Sequence, residues 1–461
     1  MSRPQLEFDD PMSPQERRTA YSLAAIYTVR MLGLFMVLPV FTIYGAELKG
    51  HTPLLIGLAL GIYGLAQAAF QIPLGMLSDR IGRKPVILMA LTVFIAGSIV
   101  AALSHSIVGV IIGRALQGSG AISSTIMALA ADLTREQHRT KIMATIGISI
   151  GIAFTIGMVI GPILNSLIGV SGIFWTTAAL GVIAGGIVIG VIPHPKSHHL
   201  HRDTSVVPAS FREVLKNKEL LRLNFGIFIM QFVLTSNFVV LPVLLAHITG
   251  IPVNQSWELY LPIMILAFLM MLPFIIIAEK KRKMRQVLLG AIAVLGLANL
   301  AYVYADRSLI SMAIGLVAFF TAFSVLEATL PSLVAKVAPA DQKGTAMGAY
   351  STSQFFGVFM GGTVGGLVFG KWGINGAIIV SAGLILVWLL VALRMKEPRY
   401  LASHVVRIDA STPEAMEALR AKFASIPGVD DVAIAGDEGV AYLKIDRAVI
   451  DQVRLHELVT G

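Results

Sequence analysis

The sequence has no cysteine and little charge for a chain of 461 residues. The absence of cysteine excludes disulfides and thiolate metal ligands. Only 14% of the residues are charged, whereas soluble domains carry about 25%. Hydrophobic residues make up 56% of the chain. This composition excludes a soluble globular protein and indicates one that crosses a membrane several times.

The sequence also lacks the motifs of ATP-driven pumps and of enzymes. It contains no phosphate-binding loop and no nucleophile paired with a base. We therefore expect neither an enzyme nor a bound cofactor or metal. Four histidines could bind a metal, but a solvated linker is the better interpretation; they are His194, His198, His199 and His201. The first 18 residues are polar and precede no small-residue cleavage site, so no cleavable signal peptide is predicted.

Long apolar segments dominate the chain. We count twelve of them, each near the ~20 residues that a bilayer core requires. They lie at about 19–44, 54–78, 85–104, 107–132, 142–168, 172–192, 222–248, 257–278, 286–305, 309–335, 344–370 and 373–394. The fold predicted is an all-α polytopic membrane protein with twelve transmembrane helices.

Positive charge lies mostly on one side of these segments. With the N-terminus inside the cell, twenty-four Lys and Arg residues fall in cytoplasmic connections and three in external ones. The positive-inside rule then places both termini in the cytoplasm. The net charge of +9 needs no nucleic-acid partner to explain it.

The chain repeats itself after about 200 residues. The sequence VLPV at 37–40 returns at 240–243, and Pro73 and Asp79 have counterparts in Pro273 and Glu279. Equivalent places in two sets of six helices indicate a parallel repeat. We predict an N-terminal half at 1–192, a cytoplasmic linker at 193–221, a C-terminal half at 222–399 and a cytoplasmic domain at 400–461.

The cytoplasmic domain differs in composition from the rest, with a net charge of −4 against +13. Strands are predicted at 404–409, 431–435 and 440–445, and helices at about 413–426 and 448–458. This β-α-β-β-α order resembles a small ferredoxin-like fold. Heavy-metal-associated domains of that fold carry Cys-x-x-Cys where this chain has Ala410, Ser411 and Thr412, so metal transport is not expected.

The most specific motif is GMLSDRIGRKP at 75–85, between two apolar segments. Asp79 and Arg83 are four residues apart and can interact if the turn is helical. Gly75 and Gly82 allow close approach of backbones. An ordinary basic loop would require only the Arg and Lys residues. The motif resembles the loop between helices 2 and 3 of the major facilitator superfamily, whose members are transporters that work by alternating access.

The resemblance implies a conformational latch in this loop. Its expected members are Gly75, Asp79, Arg80, Gly82, Arg83 and Asp132. Asp79 would accept hydrogen bonds from the start of helix 11, near 344–345, where a helix carries partial positive charge. Arg83 would bridge to Asp132 and lock the two halves together while the cavity opens outward. A static brace of the loop is the alternative interpretation.

Three charges fall inside the predicted helices, namely Arg30, Arg114 and Glu327. Each costs about 2.5–3.5 kcal/mol at the bilayer centre, so each needs a partner or a function. Arg114, Gln117 and Gly118 match the superfamily pattern RxxQGxG, which implies an arginine that tunes a proton site. For both arginines, capping of buried carbonyls is the alternative. Glu327 is interpreted as a proton or cation site.

Helix 5 resembles the motif of the superfamily's drug antiporters. Gly157, Gly161 and Pro162 match the centre of that motif, whereas Ile148 stands where its first glycine is expected. The sequences RMLG at 30–33 and GRALQGSG at 113–120, together with the tail, resemble those of a bacterial subgroup of the superfamily. The ferredoxin-like tail of that subgroup is called the YAM domain, and the similarity spans the whole chain. The resemblance therefore implies a proton-coupled drug antiporter of the bacterial inner membrane.

The predicted central cavity is apolar with few polar groups. Its candidate polar residues are Tyr63, Gln67, Gln117, Asn224, Gln231, Asn237, Tyr350 and Gln354. Such walls suit hydrophobic or amphiphilic molecules. The expected partners are membrane lipid, a small-molecule substrate and protons, with an unknown ligand or partner for the tail. A uniporter or importer of a metabolite, and a membrane sensor that signals through the tail, are the alternatives.

Overall fold

The computed structural model describes residues 12–193, 213–252, 255–304, 309–339, 342–397, 402–408, 413–436, 439–446, 449–450 and 454. Ten of its helices are long and apolar enough to cross a membrane. Two of the ten have apolar stretches of 50 residues, about 75 Å of helix and more than twice the ~30 Å of a bilayer core. Each bends at a glycine, Gly169 or Gly373, and contains two spans. The described chain thus has twelve spans, and the all-α polytopic fold is confirmed.

The first six spans form the N-terminal half. Their helices are Pro14–Phe35 continued by Leu38–Gly45, then Pro53–Ile81, Arg83–Leu103, Ile107–Ser119 continued by Ser123–Asp132, and the two arms of Glu136–Gly190. The first span breaks after Phe35 because Pro39, four residues later, cannot donate a backbone hydrogen bond. Thr52 begins the second span by accepting a hydrogen bond from the backbone N–H of Leu55.

The second six spans repeat this plan. Their helices are Lys218–Thr249, Trp257–Lys280, Met284–Tyr304, Leu309–Val337 and the two arms of Lys343–Ala392. Gly169 and Gly373 have φ values of 69° and 68° and occupy equivalent places in the two halves. A positive φ favours glycine, so the repeat seen in the sequence extends to the backbone conformation of the turn before the last span of each half.

The two halves meet along the second and eleventh spans. A Cβ on Gly57 would lie 2.1 Å from the carbonyl oxygen of Gly362, and one on Gly61 would lie 2.6 Å from that of Phe359. Small residues allow this close packing of membrane helices. We call the end predicted to be cytoplasmic the inner end and the opposite one the outer end. At the outer end Thr42 Oγ1 donates a hydrogen bond to the Phe238 carbonyl at 2.9 Å.

The tail forms a small antiparallel sheet and a helix. Strands β1 (Ala402–Arg407), β2 (Val429–Ala435) and β3 (Val440–Ile445) pair in the order β1-β3-β2, and helix Pro413–Ala424 connects β1 to β2. Phe423 and Ile426 are buried against this sheet. This order agrees with the ferredoxin-like prediction. The predicted last helix, the turn at 410–412 and the linker histidines lie largely or wholly outside the described residues.

Candidate functional site

The loop between the second and third spans is built around one buried arginine. Gly82, with φ of 100°, separates the two helices. The Arg83 side chain is only 3% exposed and contacts Asp79 as an ion pair. Its Nε donates to Asp132 Oδ2 at 3.0 Å, and its Nη1 donates to Ser78 Oγ at 2.7 Å. The two predicted ion pairs of Arg83 are therefore present.

These contacts correct one part of the sequence prediction. Arg83 and Asp132 belong to spans 3 and 4 of the same half, so their ion pair cannot itself lock the two halves together. It instead holds the loop against the inner end of the fourth span. Gly75 allows the same approach, because a Cβ there would lie 2.8 Å from Ser124 Oγ. Arg80 is exposed, and the contact of Asp79 with the start of the eleventh span stays a prediction.

Arg30 lies midway along the first span and is 1% exposed. Its Nη2 donates to Gln67 Oε1, and Gln67 Nε2 in turn donates to Ser123 Oγ at 3.1 Å. The guanidinium also lies 5.8 Å from the centre of the Tyr63 ring, close enough for a cation–π attraction. Its Nε and Nη1 have no hydrogen-bond partner among the described residues. These two nitrogens therefore do not cap buried carbonyls, which is the alternative interpretation of Arg30.

Arg114 lies on the other side of the same network and is also 1% exposed. Its guanidinium is 5.1 Å from the centre of the Tyr63 ring. Nη1 donates to Gln117 Oε1 at 3.0 Å, and Nε donates weakly to the Ala59 carbonyl at 3.4 Å. Gln117 Nε2 donates to Ser98 Oγ at 2.8 Å. The RxxQ pair thus forms one buried unit that joins spans 2, 3 and 4.

Glu327 is the counterpart of these arginines in the second half. It accepts hydrogen bonds from Gln231 Nε2 at 3.1 Å and from Gln354 Nε2 at 3.2 Å. These amides come from the seventh and eleventh spans, so three spans of one half converge on the carboxylate. Glu327 keeps partial solvent exposure in this conformation. It is therefore a carboxylate held by neutral groups, a setting in which it can exist with or without a proton.

Arg30 and Glu327 lie at the same depth. Gln71 Nε2 donates to Thr352 Oγ1 at 2.9 Å, and a Cβ on Gly64 would lie 2.4 Å from the Phe355 carbonyl oxygen. These two contacts fix how the second and eleventh spans are aligned. Gln67, which holds Arg30, lies between Gly64 and Gln71, and Gln354, which holds Glu327, lies between Thr352 and Phe355. Each half therefore brings one charge to the same level.

Some of the predicted cavity residues have other contacts. Asn237 Nδ2 donates to Asn299 Oδ1 at 2.9 Å, and Asn299 Nδ2 donates to the Ile378 carbonyl at 2.9 Å, so Asn237 links three spans within the second half. Asn224 and Tyr350 are buried. Tyr350 precedes Gln354 by one helical turn, so it lies on the face of the eleventh span that contacts Glu327.

The sequence did not predict a cluster of aromatic side chains near Glu327. Phe154 contacts Phe35, Phe320 and Phe323, with ring centres 5.0, 6.0 and 5.7 Å apart. The cluster joins spans 1 and 5 of the first half to span 10 of the second. Phe323 precedes Glu327 by four residues on one helix and so lies on the same face. That spacing was the available signal, since a phenylalanine one turn from a membrane-embedded acid indicates a wall of the same cavity.

Comparison with known proteins places this architecture in a family. The model of the Major Facilitator Superfamily matches residues 23–362 and 285–425. The inner membrane transport protein YajR of Escherichia coli is 48% identical over 451 residues, which cover 98% of this chain and 99% of that protein. The multidrug resistance protein MdtH of Yersinia enterocolitica is 23% identical over 74% of this chain and 84% of its own length.

Solved structures show the same fold at low sequence identity. A bacterial homologue of the human lysosomal transporter Spinster, in an inward-facing and occupied conformation, has a TM-score of 0.68 and 14% identity. The match covers 83% of this chain and 97% of that one. At this identity the likeness establishes the arrangement of the spans alone.

Proposed function

Because the chain belongs to the major facilitator superfamily, a family of transporters and not of enzymes, we propose that it exports amphiphilic small molecules in exchange for protons. Its nearly full-length similarity to YajR makes it a multi-pass protein of the bacterial inner membrane. The distant similarity to MdtH supports drug-like compounds as the substrates. The observation that carries the proposal is Glu327, the carboxylate that three spans present beside an aromatic wall.

Glu327 is suited to exchange a proton for a substrate. Its hydrogen bonds come from the neutral amides of Gln231 and Gln354, which stabilise the carboxylate without fixing its charge. An ion-paired carboxylate would resist protonation, because an opposite charge favours the ionised form. A proton and a substrate's positive group would therefore compete for Glu327, and this competition is the basis of exchange.

The contacts between the halves support alternating access. Thr42 and Phe238 join the two halves at the outer end, while the ion pairs of Arg83 and of Lys336 with Glu279 at the inner end lie within single halves. This arrangement fits a cavity that is closed to the outside. In the proposal, the ordered loop around Arg83 forms its contact with the eleventh span only when the inner end closes.

The test is transport into inside-out vesicles or proteoliposomes with an imposed pH gradient. A panel of fluorescent amphiphiles is screened with the gradient and without it. Glu327→Gln should abolish the dependence on the pH gradient and leave exchange of labelled for unlabelled substrate intact. Glu258→Gln, at an exposed position in the first turn of the eighth span, is the matched control. Proton coupling that persists in Glu327→Gln would remove this residue from the mechanism.

A further inference from the structure

The Arg30 guanidinium has hydrogen-bond donors that the described residues leave without acceptors. The residue is only 1% exposed, and its Nε and Nη1 atoms have no hydrogen-bond partner among the described residues. Buried polar groups are nearly always satisfied, and a buried charge is costly unless paired. The Nη2 contact with Gln67 and the nearby Tyr63 ring hold the guanidinium in place. A buried guanidinium with free donors attracts an anionic group such as carboxylate, sulfonate or phosphate.

We propose that Arg30 binds the anionic group of a zwitterionic amphiphile whose cationic group binds Glu327 in the opposite half. This inference rests on the proposed function and names its class of substrate. The polar contacts of both charges are to neutral groups of the described chain. Arg30 and Glu327 therefore offer charges of opposite sign at the same depth, and a ligand with both signs neutralises both. Arg114 also contacts only neutral groups of the described residues, so the first half holds a second arginine without a counter-charge among them.

A ligand with only one charge fits this site less well. An anion at Arg30 would be repelled by ionised Glu327, and a cation at Glu327 would leave Arg30 buried without a counter-charge. A zwitterion also preserves exchange with protons, because its cationic group displaces the proton from Glu327. Tyr27, one turn before Arg30 on the first span, donates to Ser123 Oγ at 3.0 Å, and the same serine hydroxyl accepts from Gln67, the residue that holds Arg30.

The apolar part of the ligand has a place beside the charges. Phe323 lies one helical turn from Glu327, and its ring stacks into the cluster of Phe154, Phe319 and Phe320. Aromatic walls with a few placed polar groups are typical of sites for amphiphilic small molecules. Because this cluster includes residues of both halves, an apolar group against it would contact the two halves together.

The experiment measures binding of three matched fluorescent probes to the purified full-length protein without any gradient. Nε-dansyl-lysine carries both charges, dansylcadaverine lacks its carboxylate, and dansyl-aminocaproic acid lacks its ammonium. The wild-type protein should bind the zwitterion about tenfold or more tightly than either analogue, the value of one charge-assisted hydrogen bond. Comparable affinity for the three probes, or no binding of any, overturns the proposal.

Variants assign each charge to its residue. Arg30→Gln should abolish the preference for Nε-dansyl-lysine over dansylcadaverine, and Glu327→Gln should abolish its preference over dansyl-aminocaproic acid. Arg30→Lys, which keeps the charge but not the guanidinium donors, should retain part of the first preference. Arg222→Gln, at the start of the seventh span, is the control. If Arg30→Gln weakens all three probes equally, Arg30 has only a structural role and the proposal is wrong.

These results separate the subsite from the transport proposal and identify the source of the ligand. If the probes show the charge preferences but transport is not coupled to protons, the subsite is supported and proton exchange is rejected. If transport is coupled to protons but the probes show no charge preference, proton exchange is supported and the subsite is rejected. Displacement of Nε-dansyl-lysine by monomeric lysophosphatidylethanolamine would assign the site to a lipid headgroup. Displacement by water-soluble zwitterions alone would assign it to a soluble substrate.

Discussion

At the scale of single residues, the protein holds its buried charges in two ways. Arg83 is paired with the carboxylates of Asp79 and Asp132, and this pairing compensates its desolvation. Arg30 and Glu327 contact neutral amides instead. Paired charges give a rigid local structure, whereas charges held by neutral groups remain available to a ligand or a proton. The loop is thus suited to conformational control and the central pair to binding.

Asp79→Asn should reduce transport about tenfold or more, because it removes one charge-assisted contact worth about 1.5–3 kcal/mol from the loop that we propose changes its contacts in each cycle. Asp79 is the better choice for this test than Arg83. Its side chain is 24% exposed, whereas Arg83→Ala would break the ion pair of the buried Asp132 and cost about 3–5 kcal/mol of stability.

Initial transport rates in proteoliposomes measure this prediction, and the melting temperature of the purified variant shows whether the fold is kept. Arg80→Ala, at the exposed position beside Asp79, is the control and should transport at the normal rate. A normal rate in Asp79→Asn would mean that the loop is only a static brace.

At the scale of helices, the interface between spans 2 and 11 depends on glycines, which have no side chain to keep the backbones apart. Gly57, Gly61 and Gly64 face the backbone of Gly362, Phe359 and Phe355 across the two halves. Contact between backbones leaves no rotamer that could relieve an added methyl group. We therefore expect the outer part of this interface to close only if the glycines are kept.

Gly362→Val should shift the protein towards a conformation that is open at the outer end. A Cβ at Gly362 would lie 2.3 Å from the Gly57 carbonyl oxygen, so the two spans must separate. The natural absence of cysteine allows a single reporter thiol at Thr42, which is 3% exposed here. Labelling of Thr42→Cys by a membrane-impermeant maleimide should become faster in Gly362→Val.

Gly383→Val is the matched control, since nothing lies within 4 Å of a Cβ at that position. It should leave the labelling rate of Thr42→Cys unchanged. If the two valine variants label at the same rate, the glycine interface does not govern closure of the outer end.

Local patterns predicted the elements better than the contacts between them. The twelve spans and the ion pair of Arg83 with Asp79 follow from apolar length and from a four-residue spacing. The ion pair of Arg83 with Asp132 is expected only from the family resemblance. The contact of Asn237 with Asn299 and the aromatic cluster do not, because they depend on which helix faces lie opposite each other. The donors that Arg30 leaves free are likewise invisible until its neighbours are known.

At the scale of the whole molecule, the tail docks on the helix that carries Glu327. Lys444, in strand β3, is 4% exposed and donates from Nζ to the carbonyl oxygens of Lys336 and Ala338. These carbonyls end the tenth span, where a cation is favoured by the helix dipole. Arg282 adds an ion pair with Asp446 at 3.2 Å. The tail thereby caps the inner end of the span whose middle forms the proposed proton site.

Docking of the tail should strengthen as the pH rises above 8. Burial, with a smaller contribution from Lys343, lowers the pKa of Lys444 to about 8, while Asp430 and Asp431 oppose this shift. In an undocked tail, with Lys444 exposed to water, we expect its ordinary pKa of about 10.4. Between these values the undocked state binds a proton that the docked state does not. Raising the pH therefore favours docking by up to about tenfold per pH unit, and below pH 8 this group contributes no pH dependence.

Lys444→Met should remove this pH dependence and weaken docking at pH 7, because the two carbonyls lose their donor at a cost of about 1–3 kcal/mol. Spin labels at Ser425→Cys and Lys281→Cys, both exposed, report the distance between the tail and the inner end of the bundle. The distance distribution should broaden in Lys444→Met. Ser403→Ala, in strand β1 opposite Lys444, serves as a control for the sheet.

Transport by Lys444→Met should resemble that of a chain that ends at residue 399, with a changed rate but intact proton coupling, since the tail contacts the end of the tenth span and not Glu327. Unchanged distances and unchanged pH dependence in Lys444→Met would show that the tail is held by other contacts and does not act through this span.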